Sequence, residues 1–549
     1  MNRLSLFFLF LFLVLTSEAK VDVPLRFHAE ITYMQPQRYS SRPVTDFYLE
    51  MRGDSVDMLL PYMGEVYVPS FDRNGLLFVQ RVNNLKTSRT KRGATQVTFD
   101  VRRDANVYSF RLTLYDNGMF NAYLSPSHAQ PCSYSGEWEE LEWDATVSDE
   151  EQISVNQIEE YRNQIWQAYS SVFSVSDTLP RMSIVPLAEA NTCRWQLPQH
   201  LEPNAVMNFY SGTKGDQPQS GFPLFIYLHG SGPKDIEWKT GLRLAMSFED
   251  SASMYVIPQI PNEGQYYRWW QQSKQWAWNH LLRQLLVNPS VDPSRIYLFG
   301  ISEGGYGSQR LASFYADYLA GAAPMAGGEP LRNAPAENLC NTAFSLVTGE
   351  QDAMFYRNKL TLRTKERLDS LKTLYPDEFQ YRVMLEQGRG HAINYEVSTP
   401  WLKEFRRNAQ PKHFRWENYE MDGLKRYAFY NLEVLSESDS TRRYDYEFSI
   451  SDNVVNLNVR RVDYLITEVD SQWGIELNNS RLYKTAESGK VRIYLSEDLA
   501  DLTSPVTIYV NGTKVGVVQP KILKSSMEKS CQLFGDPLRV FPSFIDVEW

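Results

Sequence analysis

Residues 296–308 read IYLFGISEGGYGS, and this run constrains the chain more than any other. Four β-prone residues, Ile296 to Phe299, lead directly into Gly300, Ile301, Ser302, Glu303 and Gly304. The pattern is that of a nucleophile elbow, where a strand turns sharply into a helix and a serine sits at the apex on strained backbone. Only small neighbours allow the close backbone approach such a turn needs, and Gly300 and Gly304 are placed to allow it. The stretch from Gly305 to Leu319 carries Leu311, Phe314 and Leu319 at helix-compatible spacing with no proline, so it is expected to be the helix. A bare G-x-S-x-G is a weak motif. Here the strand, turn and helix context gives it weight.

A serine hydroxyl is a poor nucleophile near neutrality, so the elbow demands a base, an acid to orient it, and donors for the oxyanion. Phe344 to Thr348 reads as a buried strand and runs into Gly349, Glu350, Gln351 and Asp352. Asp352 is the expected acid, with Glu350 as the other candidate. Tyr381 to Leu385 gives another strand-like run that ends in Gly388, Arg389, Gly390 and His391. Of the seven histidines, only His391 follows the acid in a glycine-flanked loop after a strand; His413 also follows the acid, but in a segment that reads as the exit into another domain. His391 is therefore the expected base. Upstream, the apolar run Phe225 to Leu228 enters His229, Gly230, Ser231, Gly232 and Pro233. In that small-residue turn the backbone at Gly230 and Ser231 would supply one oxyanion donor, and the N–H of Glu303 the second. His229 is expected to be a structural turn residue. This chemistry needs no cofactor and no metal, and neither is expected.

On these motifs, residues of about 185 to 410 resemble the α/β-hydrolase superfamily. The closest likeness is to secreted carboxylesterases of the poly(3-hydroxybutyrate) depolymerase, feruloyl esterase and prolyl-oligopeptidase-like group. The matching residues are the HGSGP turn at 229–233, Val291 to Ile296 ahead of the elbow, GISEGG at 300–305, the GEQD loop and GRGHA. The resemblance implies a mostly parallel sheet with helices on both faces and triad roles for Ser302, Asp352 and His391. Many relatives have a small residue after the nucleophile, where this chain has Glu303. One fold hosts esterases, lipases, peptidases and depolymerases, so the substrate does not follow from it.

At 549 residues the chain is too long for one ordinary domain. Residues 20–146 read as a β-rich domain, with runs such as Gln96 to Val101 and Tyr108 to Leu114 and a hairpin turn at Asp116, Asn117 and Gly118. Leu60 to Gly64 and Ser133 to Gly136 resemble an uncharacterised domain family of Gram-negative envelope proteins. Residues 147–184 read as a helical connector and 185–410 as the catalytic domain. Residues 411–520 read as a β-sandwich-like domain, its clearest signal the Asn511-Gly512 turn between two strand patterns. Residues 521–549 are left as a tail.

Arg3 precedes the apolar run Leu4 to Leu15, and Ser17 and Ala19 stand where a signal peptidase reads small residues. Residues 1–19 are therefore expected to be a signal peptide, and the protein to be exported, periplasmic or secreted. No cysteine near that site offers a lipid anchor, and no other apolar stretch is long enough to span a membrane. Cys132, Cys193, Cys340 and Cys531 are too few and too scattered for a disulfide framework or zinc cluster, though one or two bridges stay open. A net charge of −10 with no broad basic face excludes nucleic acid as a partner.

The expected partner is a small-molecule or polymer-borne ester, with carbohydrate left open. Trp269 and Trp270, between the strand at 254–257 and the elbow, are the candidate substrate-binding residues, because tryptophan faces stack on sugars and aromatic acids. The favoured reading is a serine esterase. A serine peptidase of the prolyl-oligopeptidase type and a non-catalytic binding protein with a relic hydrolase domain are the alternatives.

Overall fold

The computed structural model describes residues 26–36, 40–52, 55–61, 76–90, 93–103, 106–127, 130–140, 152–175, 182, 184–190, 192–199 and 201–549. The expected signal peptide and most of the Leu60 to Gly64 motif lie outside the described residues. The chain divides into two compact units, Met1–Ala145 and Thr146–Trp549.

The first unit is a nine-stranded sheet, antiparallel throughout, in which Arg26–Pro36 and Cys132–Glu140 pair at the centre. Met119–Pro126 shows why this sequence makes strands: exposed and buried side chains alternate strictly along it, so one face joins a core with Phe27, Leu49 and Leu112. Gly118, at φ +80°, turns the hairpin that sets Leu114 opposite Phe120.

The second unit is built on an eight-stranded sheet: β1 (Thr192–Gln196), β2 (Val206–Lys214), β3 (Phe222–Leu228), β4 (Ser253–Pro258), β5 (Val291–Ile301), β6 (Gly321–Met325), β7 (Ala343–Gly349) and β8 (Tyr381–Glu386). Their order across the sheet is β1-β2-β4-β3-β5-β6-β7-β8. The pairs β1-β2 and β2-β4 are antiparallel and the other five parallel. All seven side chains of β3 are buried, as a strand covered on both faces requires. Leu224, Ile226 and Leu228 point into one core, and Phe225 and Tyr227 into another on the opposite face. After α1 (Ile158–Val175), helices α2 (Lys234–Ser247) and α6 (Ser398–Leu402) add Trp238 and Leu402 to the second core. Helices α3 (Gln272–Val287), α4 (Glu303–Phe314) and α5 (Arg357–Leu374) add Leu285, Leu311 and Leu368 to the first.

From His413 the chain forms three further sheets, of six, two and four strands, and the six- and four-stranded ones share one core including Trp416, Phe429, Tyr446 and Ile493. Asn511 and Gly512 both take positive φ in the turn between Val506–Val510 and Thr513–Val518. The segment 521–549 is not a tail. Its helix α7 (Lys524–Phe534) puts Met527, Cys531 and Phe534 into that core, and Ser543–Glu548 pairs with Gly489–Leu495 as a strand. Nor is the segment at 147–184 only a connector. Its Ile153 N–H donates to the Ile522 carbonyl at 3.0 Å, and Ile153 and Ile158 are buried in the same core.

The C-terminal sheets are tied to the helical layer of the eight-stranded sheet by buried ions. Asp317, beside the end of α4, accepts from Arg426 at 2.5 and 2.9 Å and from Arg539 at 2.6 Å. Asp536 accepts from Arg407 at 2.8 and 3.0 Å and from Arg539 at 2.7 Å. Cys132, Cys193, Cys340 and Cys531 are not joined in disulfides. Among the described residues no helix is long and apolar enough to cross a membrane.

Candidate active site

Strand β5 ends at Ile301 and helix α4 begins at Glu303, so Ser302 alone makes the turn. Its φ of +59° and ψ of −112° lie in a region side-chain-bearing residues rarely occupy, the strain expected at such an apex. Gly304 makes the turn feasible: a Cβ there would fall 1.9 Å from the Leu228 carbonyl oxygen at the end of β3.

His391 and Asp352 converge on this serine from the loops after β8 and β7. His391 Nε2 is 3.0 Å from Ser302 Oγ, and His391 Nδ1 is 2.7 Å from Asp352 Oδ2. The His391 side chain is 45% exposed while that of Asp352 is 3% exposed, so the imidazole is open to a substrate and its anchor is not. The two loops meet because Gly349 lacks a side chain, a Cβ there falling 1.9 Å from the Gly390 carbonyl oxygen. Glu350, the other candidate acid, instead braces the histidine loop by accepting from the Gly388 N–H at 2.9 Å.

The turn after β3 lies beside the elbow. Gly230 is buried, Ser231 is exposed, and a Cβ on Gly230 would stand 3.5 Å from Ser302 Cβ. His229 is fully buried and holds the turn together: Nδ1 donates to the Gly230 carbonyl at 2.8 Å and Nε2 accepts from the Ile260 N–H at 3.0 Å. Burial pushes its imidazole down to about 4, so it is neutral over the physiological range. Tyr267 adds hydrogen bonds from its hydroxyl to the Gly230 and Gly232 carbonyls at 2.8 and 2.9 Å.

Glu303 carries the other expected oxyanion donor, its backbone N–H, at the first turn of α4. Its side chain is buried with Oε1 unpartnered, and Oε2 is 3.4 Å from Arg268 Nη1. Burial pushes this carboxyl up to about 7, against the pull of Arg268.

The two tryptophans expected at the substrate part company. Trp269 is fully buried, with its Nε1 donating to the His229 carbonyl at 3.1 Å and its own carbonyl accepting from Trp278. It is a core residue behind the turn at 229–233, which corrects its assignment to substrate. Trp270 is partly buried, and the Arg310 guanidinium lies 3.9 Å from its ring centroid while bonding Glu329 at 2.7 and 2.9 Å.

Arg357 is part of the site that sequence reasoning missed. It opens α5, is buried, and donates from Nη1 to Asp352 Oδ1 at 2.7 Å. The only sequence signal was a cation five positions beyond the acid, too common a spacing to single out.

Outside the triad, Cys340, Glu378 and His413 hold donor atoms within 4.8 Å of one another and could share an ion. As they stand they bond to each other: the thiol donates to Glu378 at 2.7 Å, and His413 Nδ1 lies 2.6 Å from the same carboxylate. Burial opposes charge on His413, but its bonds to Glu378 and Glu447 outweigh that and raise it to about 9.

Residues 24–138 match the family described as a domain of unknown function, DUF4251. A crystal structure of a DUF4251 family protein from Bacteroides eggerthii is similar at 17% identity, covering 21% of this chain and 80% of that one, with a TM-score of 0.18. A solved thermostable esterase is similar at 13% identity over 70% of this chain and 92% of its own, with a TM-score of 0.32. Among curated proteins, poly(3-hydroxyalkanoate) depolymerase C of Paucimonas lemoignei is 29% identical over 117 residues, or 19% of this chain. The match spans 28% of that relative's length. The first unit thus contains the residues that match DUF4251, and the second a mostly parallel eight-stranded sheet on which Ser302, His391 and Asp352 are hydrogen-bonded in series.

Proposed function

We propose that this chain is an exported serine hydrolase that cleaves carboxylic esters through an acyl-enzyme intermediate. The observation that carries the reading is the hydrogen-bonded series from Ser302 through His391 to Asp352, mounted on a left-handed elbow. Ser302 Oγ attacks the ester carbonyl as its proton passes to His391 Nε2, and Asp352 holds the imidazole and stabilises the cation formed. The backbone N–H groups of Ser231 and Glu303 receive the oxyanion. Collapse breaks the bond to the alcohol oxygen, which leaves with the proton from His391. Water then attacks the acyl-serine, gives its proton to His391, and frees the acid with Ser302 restored.

An ester suits this site because an alkoxide leaves with less proton assistance than an amine. Trp270, with Arg310 over one face of its ring, is the residue proposed to meet the substrate. The name of the Paucimonas lemoignei relative brings a polymer-borne ester into consideration as well. Export rests on the charged, then apolar, then small-residue pattern of residues 1–19.

The test is a screen of the purified protein against p-nitrophenyl esters, acetylated and feruloylated sugars, poly(3-hydroxyalkanoate) and dipeptide amides. Turnover of esters well above amides is expected. Turnover of the amides alone would place the protein among peptidases instead.

A further inference from the structure

The C-terminal sheets send one hairpin back to the catalytic loops. Val454–Val469 and Glu476–Thr485 pair antiparallel, and their outer ends leave Leu465, Ile466 and Val469 exposed. The tip is a closed turn: the Asp470 N–H donates to the Ile475 carbonyl at 2.9 Å, and Asp470 Oδ2 accepts from the N–H groups of Gln472 and Trp473 at 3.1 and 2.6 Å. Two side chains of the tip, Asp470 and Trp473, land on the acid loop. Asp470 Oδ1 accepts from the Tyr356 hydroxyl at 2.7 Å, and the Trp473 ring meets Phe355 edge-on with centroids 4.9 Å apart.

Phe355 and Tyr356 need such support. They are consecutive left-handed residues, at φ +54° and +58°, a conformation that large side chains resist. They also stand between Asp352 and Arg357, the residue that holds Asp352 Oδ1. The Arg357 guanidinium lies 5.3 Å from the Phe355 ring centroid, so the ring that Trp473 touches also flanks the arginine. Contacts therefore run from Trp473 to Phe355, Arg357 and Asp352, and from Asp470 to Tyr356 in the same loop. Trp473 remains 54% exposed, so burial of its ring elsewhere does not explain the contact.

We propose that Asp470 and Trp473 are positioning residues: the C-terminal hairpin locks the left-handed pair Phe355 and Tyr356 and thereby fixes the Asp352 carboxylate on His391. This rests on the serine-hydrolase reading. Neither residue touches substrate, and the C-terminal sheets become part of the catalytic apparatus rather than an appended module.

The test uses the full chain with Tyr356→Phe, Asp470→Ala and the double variant, each assayed for kcat and KM on an ester from the screen and for labelling rate by a fluorophosphonate. Each single variant is expected to lose about tenfold in kcat with KM nearly unchanged, as small misplacement of a catalytic group does. The double variant should lose no more than the worse single one, because both remove the same bond. Trp473→Ala should lose kcat similarly and Trp473→Phe should restore it. The low-field proton resonance of the His391–Asp352 bond should weaken in the impaired variants while thermal melting stays at the wild-type temperature. Full kcat in both single variants, multiplying losses in the double, or losses that follow only the folded fraction would overturn the proposal. A probe-reactive wild type whose hairpin variants keep full kcat would overturn the positioning role alone. A wild type that neither hydrolyses esters nor takes up the probe would overturn the hydrolase reading and this role with it.

Discussion

Arg357 holds Asp352 from the side opposite His391: its Nη1 donates to Oδ1 at 2.7 Å, which leaves Oδ2 to the imidazole at 2.7 Å. Both members of the pair are almost fully buried, so water does not replace a lost partner.

Arg357→Met should therefore damage the protein twice. Removing one partner of a buried ion pair strands the other, and a loss of roughly 3–5 kcal/mol in stability is expected. In the fraction that stays folded, Asp352 is free to rotate away from His391, and kcat should fall on the order of 10²-fold. Thermal melts and steady-state kinetics on the same preparation separate the two effects. Wild-type kcat in the folded fraction would show that Asp352 is oriented without Arg357.

Glu303 makes a prediction about pH. With its carboxyl pushed up to about 7 by burial, it is neutral in weak acid and becomes an anion beside the proposed oxyanion site as pH rises. A charge there opposes the developing oxyanion. The ratio of kcat/KM for Glu303→Gln over wild type should climb as pH passes through about 7. Stability moves with the same proton: the raised carboxyl contributes fully below its ordinary value of 4.5, and that contribution is lost as pH rises through about 7. Glu303→Gln should remove that decline. An unchanging kcat/KM ratio from pH 5.5 to 9 would count against a carboxylate titrating at this position.

The buried ions that join α4 to the C-terminal sheets give a prediction of opposite sign. Burial alone would raise the Asp317 carboxyl, but Arg426 and Arg539 outweigh it and hold it below the usual carboxylate range. Its contribution is therefore present above about pH 4 and is lost as pH falls below that value. Asp317→Asn should destabilise the protein by roughly 3–5 kcal/mol at pH 7, and the gap from wild type should narrow in acid. Unfolding curves at pH 7 and pH 3.5 measure it. An equal gap at both values would contradict the assignment.

The parts legible in the sequence were those whose cause is local. The elbow could be read because the strand, Gly300, Ser302, Gly304 and the helix stand within a score of residues, and the Asn511-Gly512 hairpin because its turn needs two positive φ angles. Asp352 and His391 followed from chain order. What escaped was set by contacts between distant segments. Trp269 and Trp270 are alike as sequence, yet one bonds the His229 carbonyl and the other meets Arg310, a difference decided by the backbone path. Ser543–Glu548 alternates buried and exposed residues as a strand should, but only its partner Gly489–Leu495 shows that the last segment closes a sheet. The contact between Asp470 and Tyr356 spans 114 residues and leaves no periodic trace.

The most direct measurement is the site of covalent modification when the protein reacts with a fluorophosphonate, found by mass spectrometry of its peptides. The account predicts one adduct, on Ser302 within the segment 296–308, and none on the Ser302→Ala variant, whose ester turnover should fall by about 10⁴ to 10⁶. An adduct on another serine, or labelling of Ser302→Ala as strong as wild type, would contradict it.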